Sequence, residues 1–257
     1  MSGQHLRVMS YNIQVGINTR SPHQYVIHSW KHLLPHPQRL SNLDNVAKVL
    51  GVCDFVGLQE VDAGSIRSNN INLVEYLALK AEFPYWYHQV NRNFGRIAQH
   101  SNGLLSRYHP SHVEDLSLPT LIPGRNAILS VYGSGENALA LVIVHLSLSP
   151  RARMRQLAYI GERISDYRHV ILMGDLNCKP DSKEMCMLFN RTRLHEPLEE
   201  TLTFPSWRPV HNIDHILVTP EFKVLNVTAL NHAYSDHLPI MMELGLPEGL
   251  KMSRLVA

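Results

Sequence analysis

The sequence has little cysteine, little excess charge and no long apolar run. Its 257 residues include only three cysteines, Cys53, Cys178 and Cys186, and they form no CxxC pair. This usage disfavours both a disulfide framework and a thiolate zinc site, and it is typical of a reducing compartment. The sequence shows neither a secretory leader pattern nor an apolar stretch of membrane-spanning length. We therefore predict a cytoplasmic protein without stable membrane association.

The near balance of charge limits the classes of partner. Lys and Arg number 24 and Asp and Glu number 22, so the formal net charge is +2. A chain this close to neutrality is not expected to bind nucleic acid or a membrane over its whole surface. Any anionic partner must be held by a local patch.

Composition is uniform along the chain. No linker, low-complexity tract or internal repeat divides it. We predict a single domain over residues 1–247, followed by a C-terminal tail of residues 248–257.

Short apolar runs rich in β-branched residues alternate with segments of helical periodicity. The runs ALALVIVHL and HVILMGDL are almost continuously apolar, as in strands buried on both faces, and a hairpin is expected around residues 133–135. Helical periodicity covers residues 23–34, 41–50, 71–82, 151–167 and 182–189. The mixture predicts an α/β fold with two stacked, mixed β-sheets and helices outside.

Polar residues stand at the ends of strands that otherwise need none. These residues are Asn12, Gln59, Glu60, His145, Asp175, Asn177, Asp214, Asp236 and His237. Burying a carboxylate without a partner is costly, so such residues normally hold a cation, accept hydrogen bonds or do chemistry. We expect them to converge on one pocket.

The donor types in this set indicate a hard cation. Carboxylates and amides with little nitrogen or sulfur suit Mg²⁺, with Mn²⁺ as the alternative. Two imidazoles beside such a cation are what a negatively charged phosphorus centre would use. In the segment YSDHLPI, Asp236 and His237 are neighbours on an extended chain, so their side chains point to opposite faces and each needs its own partner.

The motifs also carry a family resemblance. In order along the chain they are SYNIQV, GLQEVD, NGLLSR, VHLSL, GDLN, IDHILV and SDHLPI. This ordered set resembles the endonuclease/exonuclease/phosphatase superfamily, the DNase I-like group. The resemblance implies a four-layer α/β/β/α sandwich and metal-dependent cleavage of phosphoester bonds.

The resemblance implies roles for individual residues on the metal side. Glu60 would be the principal metal ligand. Asn12 would be a further ligand or would support one. Asp236 would face the cation.

It also implies roles around the reacting phosphate. Asp175 would orient or deprotonate the attacking water, and Asn177 would donate to phosphoryl oxygens. Asp214 would hold His237 in its tautomer, which leaves His237 either a general base or a cationic clamp. His145 matches the second histidine of the DNase-like and sphingomyelinase-like branches, which disfavours abasic-site cleavage.

Four further residues are weaker candidates for binding substrate. Arg125 begins a strand and has the planar guanidinium that suits a phosphate, although a salt bridge explains it equally well. Arg67 lies in a polar loop and Asn102 at a strand start, where solvated or turn roles are the simpler alternatives. Trp207 precedes the Asp214 strand and is the aromatic residue we expect to meet substrate.

Three functions compete at this level. The leading hypothesis is a Mg²⁺-dependent phosphodiesterase of the nuclease type, acting on nucleic acid. The alternative is a sphingomyelinase-like hydrolase of phospholipid or inositol-phosphate head groups, for which the sequence shows no membrane-contact hairpin. A non-catalytic binding module is disfavoured because the expected site residues are all present.

Overall fold

The computed structural model describes residues 5–27, 30, 34–120, 124–197, 201–250, 252 and 254. Within these ranges eleven strands and five α-helices follow one another. The strands are β1 (His5–Asn12), β2 (Phe55–Asp62), β3 (Tyr85–Asn93), β4 (Gln99–Ser106), β5 (His112–Ser117), β6 (Asn126–Tyr132), β7 (Leu139–His145), β8 (His169–Asp175), β9 (Asp214–Val218), β10 (Lys223–Ala229) and β11 (Ile240–Gly245). The helices are α1 (Pro22–Ile27), α2 (Gln38–Leu50), α3 (Leu73–Lys80), α4 (Pro150–Ile164) and α5 (Lys183–Arg191).

The strands form two mixed sheets. The first has the order β10-β11-β1-β2-β4-β3 and the second β5-β6-β7-β8-β9. Strands β1 and β2 are parallel, as are β7 and β8, and the predicted hairpin is the antiparallel pair β6 and β7. The predicted α/β sandwich of two mixed sheets is confirmed.

Three apolar clusters hold the layers together. Phe55 and Ile143 belong to the cluster between the two sheets. Leu43 of α2 and Leu77 of α3 lie in the cluster on the outer side of the first sheet, and Leu157 of α4 lies in the one outside the second sheet. All seven residues of β7 are buried, and so are those of β8, because both faces of these strands are covered.

The structure differs from the predicted elements in two places. The first predicted helix, residues 23–34, is observed as α1, and part of that range lies outside the described residues. Strand β5 was not predicted, because this edge strand is largely exposed and its sequence, HVEDLS, is mostly polar.

The residues after β11 pack against the sandwich. Leu250 and Met252 join the cluster between the sheets. Arg254 forms an isolated bridge with Tyr108 and an ion pair with Asp54. These contacts tie the C-terminal segment to the sheets, and the domain boundary at residue 247 stays a prediction.

Candidate active site

The polar ends of three neighbouring strands lie in register. His145 ends β7, Asp175 ends β8 and Asp214 begins β9. His145 pairs with Asp175 across the parallel ladder, and Asp175 pairs with Asp214 across the antiparallel ladder. Residues paired in register lie side by side, so the second sheet presents one imidazole and two carboxylates in a row.

The glycine of the GDLN motif makes this row possible. Gly174 has a φ of +154°, and a Cβ atom there would lie 2.0 Å from the carbonyl oxygen of Val144. No side chain fits at that distance. Glycine therefore allows β8 to approach β7 closely enough to set Asp175 beside His145.

Asp175 is the centre of the row and is only 2% exposed. Its Oδ2 atom lies 3.4 Å from Nε2 of His145 and 3.9 Å from Nε2 of His237. The same oxygen accepts a hydrogen bond from Nδ2 of Asn12 at 3.2 Å, and Oδ1 accepts one from the backbone N–H of Asn177 at 3.0 Å. Asn12 ends β1, so this carboxylate joins the polar edges of the two sheets.

His237 is held by an aspartate, as the sequence analysis expected. Its Nδ1 lies 2.8 Å from Oδ2 of Asp214, and that oxygen also accepts a hydrogen bond from Oγ1 of Thr203 at 2.5 Å. The ring of Phe204 packs on the imidazole with centroids 4.7 Å apart. Since Nδ1 donates to the carboxylate, Nε2 is the atom that faces Asp175.

The two imidazoles differ in charge. Burial alone would lower the pKa of His237, but Asp214 and Asp175 outweigh it and raise the pKa to about 10. Burial, helped by the positive charges of Arg125 and His237, holds the pKa of His145 well below its usual value. At neutral pH one ring is therefore a cation and the other is neutral.

The first sheet contributes a further carboxylate to the site, that of Glu60. Glu60 lies at a bulge of β2 and has a left-handed backbone, with a φ of +53°. Burial and the nearby Asp236 carboxylate raise the pKa of Glu60, although a hydrogen bond from Asn12 lowers it. Burial and Asp214 likewise raise the pKa of Asp175. Buried carboxylates that repel one another in this way are what a divalent cation relieves.

A family model described as the endonuclease/exonuclease/phosphatase family matches residues 9–237, a range that includes every site residue named above. The chain belongs to this family. Members of the family are metal-dependent phosphoric ester hydrolases, and so is this chain. No curated protein sequence matches it.

Solved structures of other proteins share the fold. A family protein from Bacteroides thetaiotaomicron has a TM-score of 0.74 at 15% identity, covering 96% of this chain and 99% of the other. A mannosyl-6-phosphatase from the same species has a TM-score of 0.67 at 16% identity, with coverages of 93% and 99%. TDP2 from D. rerio, in a structure complexed with a single-strand DNA product, has a TM-score of 0.66 at 18% identity. The match covers 93% of this chain and 98% of the other.

The metal ligands that the resemblance implies, Glu60, Asn12 and Asp236, stay a prediction, and the described residues also contain a second candidate cluster. Asp175, Asp214 and His237 bring possible ligand atoms within 4.8 Å of one another. In that cluster Nδ1 of His237 already pairs with Oδ2 of Asp214 at 2.8 Å, and the same oxygen accepts a hydrogen bond from Oγ1 of Thr203, so both atoms have protein partners.

A cavity of about 700 Å³ opens beside Glu60 and His145. Arg125 lines it, and burial lowers the pKa of this guanidinium while the carboxylates of Glu60 and Asp175 raise it. The position of Arg125 supports its assignment as a phosphate ligand of the family's reaction, which stays a prediction.

Three other predicted residues lie around this centre. Asn177 donates from Nδ2 to the carbonyl oxygen of Leu146 at 3.0 Å, which leaves one amide hydrogen for a ligand. Asn102 is fully buried and donates to the carbonyl oxygen of Asn126 at 3.0 Å, so it connects the two sheets rather than lining the cavity. Trp207 is half-buried beside Ser206, whose N–H donates to the Asp236 carbonyl.

Arg67 does not take the expected position. Its side chain is 1% exposed, and Nε donates to Oδ2 of Asp62 at 2.5 Å. One terminal nitrogen donates to the Gln99 carbonyl oxygen at 3.2 Å and the other lies 3.3 Å from Nε2 of His100. These contacts enclose the guanidinium in protein, which corrects the expectation that Arg67 binds substrate.

Sequence reasoning missed Thr203, Phe204 and His100. The first two belong to an irregular segment, and only their contacts with Asp214 and His237 reveal them. His100 lines the cavity, and burial together with Arg67 lowers its pKa to about 4. Its position near the start of a strand gave no signal that separates a cavity residue from a surface one.

Proposed function

We propose that this family member is a Mg²⁺-dependent phosphodiesterase of the nuclease type, which hydrolyses nucleic acid by in-line attack of water, with Mn²⁺ as an alternative cation. The observation that carries the proposal is the position of Asp175 between a cationic and a neutral imidazole. Such a row can orient a water on one side of a phosphate and place positive charge on the other.

The residues then divide the work. Glu60, Asn12 and Asp236 would hold the cation, which would supply positive charge against the phosphate. His237 cannot accept a proton while it is cationic, so it clamps a phosphate oxygen from Nε2, and Asp175 acts as the base that orients the water. Arg125, the neutral His145 and the second amide hydrogen of Asn177 donate to the remaining oxygens.

The choice of nucleic acid rests on the cavity. Among the described residues, four arginines line it, against a single carboxylate, that of Glu60. A positively charged groove is how proteins follow a phosphate backbone. Trp207 is proposed as the aromatic residue that meets the substrate beside Asp236.

A cytoplasmic location is also proposed. Cys53, Cys178 and Cys186 are all free thiols, which suits a reducing compartment. Within the described residues, none of the helices combines the length and the apolar character needed to cross a bilayer.

The test is a substrate panel for the purified protein with Mg²⁺, with Mn²⁺ and with EDTA. The panel contains single- and double-stranded DNA, RNA, a 5′-tyrosyl oligonucleotide, mannose 6-phosphate, sphingomyelin and an inositol polyphosphate. We expect Mg²⁺-dependent cleavage of at least one nucleic acid and none with EDTA. Selective hydrolysis of the sugar phosphate, lipid or inositol phosphate would overturn the nuclease assignment.

A matched pair of variants tests the metal site. Glu60→Gln should abolish Mg²⁺-dependent cleavage, because it removes the principal anionic donor. Glu248→Gln changes an exposed glutamate by the same atoms and should leave activity intact. Full activity in Glu60→Gln would remove Glu60 from the metal site.

A further inference from the structure

Helix α4 carries four arginines that behave differently. Arg153 is buried and pairs with a glutamate of α5 at 2.6 Å, and Arg163 pairs with a glutamate of β5 at 2.6 Å. Arg151 and Arg155 are exposed and form no ion pair with a carboxylate in the described part of the chain. Two arginines of the helix are therefore paired within the protein, and Arg151 and Arg155 are available to bind an anionic ligand.

The two available arginines share one face of the helix and one cavity. They are four residues apart, so they lie about 6 Å apart along the helix axis. Both line the same cavity as Glu60 and His145. The cavity thus continues from the catalytic row to the first turns of α4.

The opposite wall adds a further cation. Arg92 of β3 lines the cavity, and its side-chain carbons lie within 3.2 Å of where a Cβ on Gly124 would be, so it is seated against that glycine. Burial and the charge of Arg92 act together to lower the pKa of Arg125. The arginines that line the cavity therefore carry more positive charge than a single phosphate beside Glu60 would need.

Apolar surface lies beside this charge. Leu148, in the loop before α4, is 74% exposed and lines the cavity next to Arg151. A sugar or base gives such a side chain a partner, whereas an inorganic polyphosphate does not. A strand that carries phosphates and apolar rings fits this combination.

We propose that Arg151 and Arg155 form a second phosphate subsite, the α4 subsite, which binds a non-scissile phosphate of the nucleic-acid strand whose neighbouring phosphate is cleaved. This inference rests on the proposed function, since it extends the same substrate from Glu60 to α4. It predicts that substrates with one phosphate use the catalytic row alone.

The test compares two substrates. Thymidine 5′-(p-nitrophenyl phosphate) has a single phosphate, and decathymidylate has several. The double variant Arg151→Ala/Arg155→Ala should raise the KM for decathymidylate about tenfold or more, with kcat within about twofold and the small substrate unaffected. The slope of log KM against log salt should fall by about 0.7 for each phosphate that the variant no longer neutralises.

Two matched variants sharpen the comparison. Arg163→Ala/Arg191→Ala makes the same change of charge away from the cavity and should keep the wild-type KM for decathymidylate. Arg151→Lys/Arg155→Lys keeps the charge and should restore most of the affinity. An unchanged KM in the alanine variant, or an equal rise for both substrates, would overturn the α4 subsite.

A direct binding measurement separates failure of the proposed function from failure of the α4 subsite. If the wild type cleaves no nucleic acid of the substrate panel, the proposed function fails. Fluorescence polarisation of labelled decathymidylate without metal still tests the subsite through the same variants. A tenfold weaker binding by Arg151→Ala/Arg155→Ala supports the subsite, and equal binding overturns it. Loss of affinity for inorganic tripolyphosphate, with decathymidylate binding unchanged, would also overturn it in favour of a small polyphosphate.

Discussion

Two buried aspartates, Asp62 and Asp214, have different surroundings. Asp62, at the end of β2, is surrounded by donors, and every one of its carboxylate contacts is made by the protein. The donors are the backbone N–H groups of Gly64, Ser65 and Gln99, the hydroxyls of Ser65 and Ser68, and Nε of Arg67. Asp214 accepts from Thr203 and His237 on Oδ2 only, and its Oδ1 has no partner among the described residues.

The difference separates a structural carboxylate from a reactive one. Burial alone would raise the pKa of Asp62, but the hydrogen bonds from Arg67 and Ser65 outweigh it and lower the pKa to about 2. That group is a fixed anion which orders a loop. Asp214 directs its charge at His237, whose Nε2 lies 3.9 Å from the Asp175 carboxylate, and an incompletely satisfied buried oxygen is typical of a site that does chemistry.

Between these two aspartates, the largest expected effect is that of removing the charge of Asp214. In Asp214→Asn the pKa of His237 falls, because the carboxylate that raises it is gone, and kcat/KM should drop about 10²- to 10⁴-fold. The residual activity should decline at a lower pH than in the wild type, since the imidazole now loses its proton earlier as the pH rises. The measurement is a pH–rate profile.

Asp181→Asn is the control for this variant. It makes the same change at an exposed aspartate before α5 and should leave both rate and profile unchanged. An Asp214→Asn profile that overlaid the wild type would remove Asp214 from control of His237.

The next largest effect is the loss of folding stability when Arg67 is replaced. Arg67→Met leaves the Asp62 carboxylate buried without its cation, so the free energy of unfolding should fall by about 3–5 kcal/mol. The folded fraction should keep kcat within about twofold, because Arg67 touches only protein. Urea unfolding and turnover per folded molecule measure the two quantities. A stable variant with strongly reduced turnover would restore Arg67 as a substrate ligand.

A smaller effect is expected at the hydroxyl that supports Asp214. Thr203→Val has nearly the same shape but loses the 2.5 Å hydrogen bond, and kcat/KM should fall about tenfold because a bond to a charged group is lost. Thr228→Val, on β10, is the matched control. Equal kinetics in the two variants would show that Thr203 does not help to orient Asp214.

The smallest expected effect is on the way the free energy of unfolding falls with pH in acid. Since the pKa of Asp62 is lowered in the fold, its contribution is complete above the ordinary value of 3.8 and is lost as the pH falls to about 2. Asp62→Asn should therefore show a flatter decline of unfolding free energy in that range than the wild type. An equally steep decline would place the acid-sensitive group elsewhere.

Much of the sandwich and of the central row was predictable from the sequence. Strands such as β7 are recognisable by continuous apolar residues, and Asp175 and His237 by their polar groups at strand ends. The contact of His237 with Asp214 was predicted from the ordered motifs and not from local periodicity. His237 lies in a bend before β11, and Asp214 begins β9 of the other sheet, so only the packing of the two sheets brings them together.

The remaining features of the site depend on how loops and helices pack together, which local sequence patterns do not show. A polar loop with glycine has the same sequence pattern whether its arginine points outward or inward, so Arg67 was expected to face substrate although it is buried. Thr203 lies 11 positions before the aspartate that it supports, in a segment without periodicity. Arg151 and Arg155 differ from Arg153 in their surroundings, because Arg153 is buried against a glutamate of α5 and the carbonyl oxygens of Ser147 and Leu148.

The left-handed backbone of Glu60 has one further consequence. A residue with a side chain is held there at a cost of about 1 kcal/mol, which glycine would avoid. Selection of this chain for heat resistance alone would thus tend to replace the side chain that we propose as the principal metal ligand. A thermostability screen and an activity screen of the same library should therefore rank position 60 in opposite order.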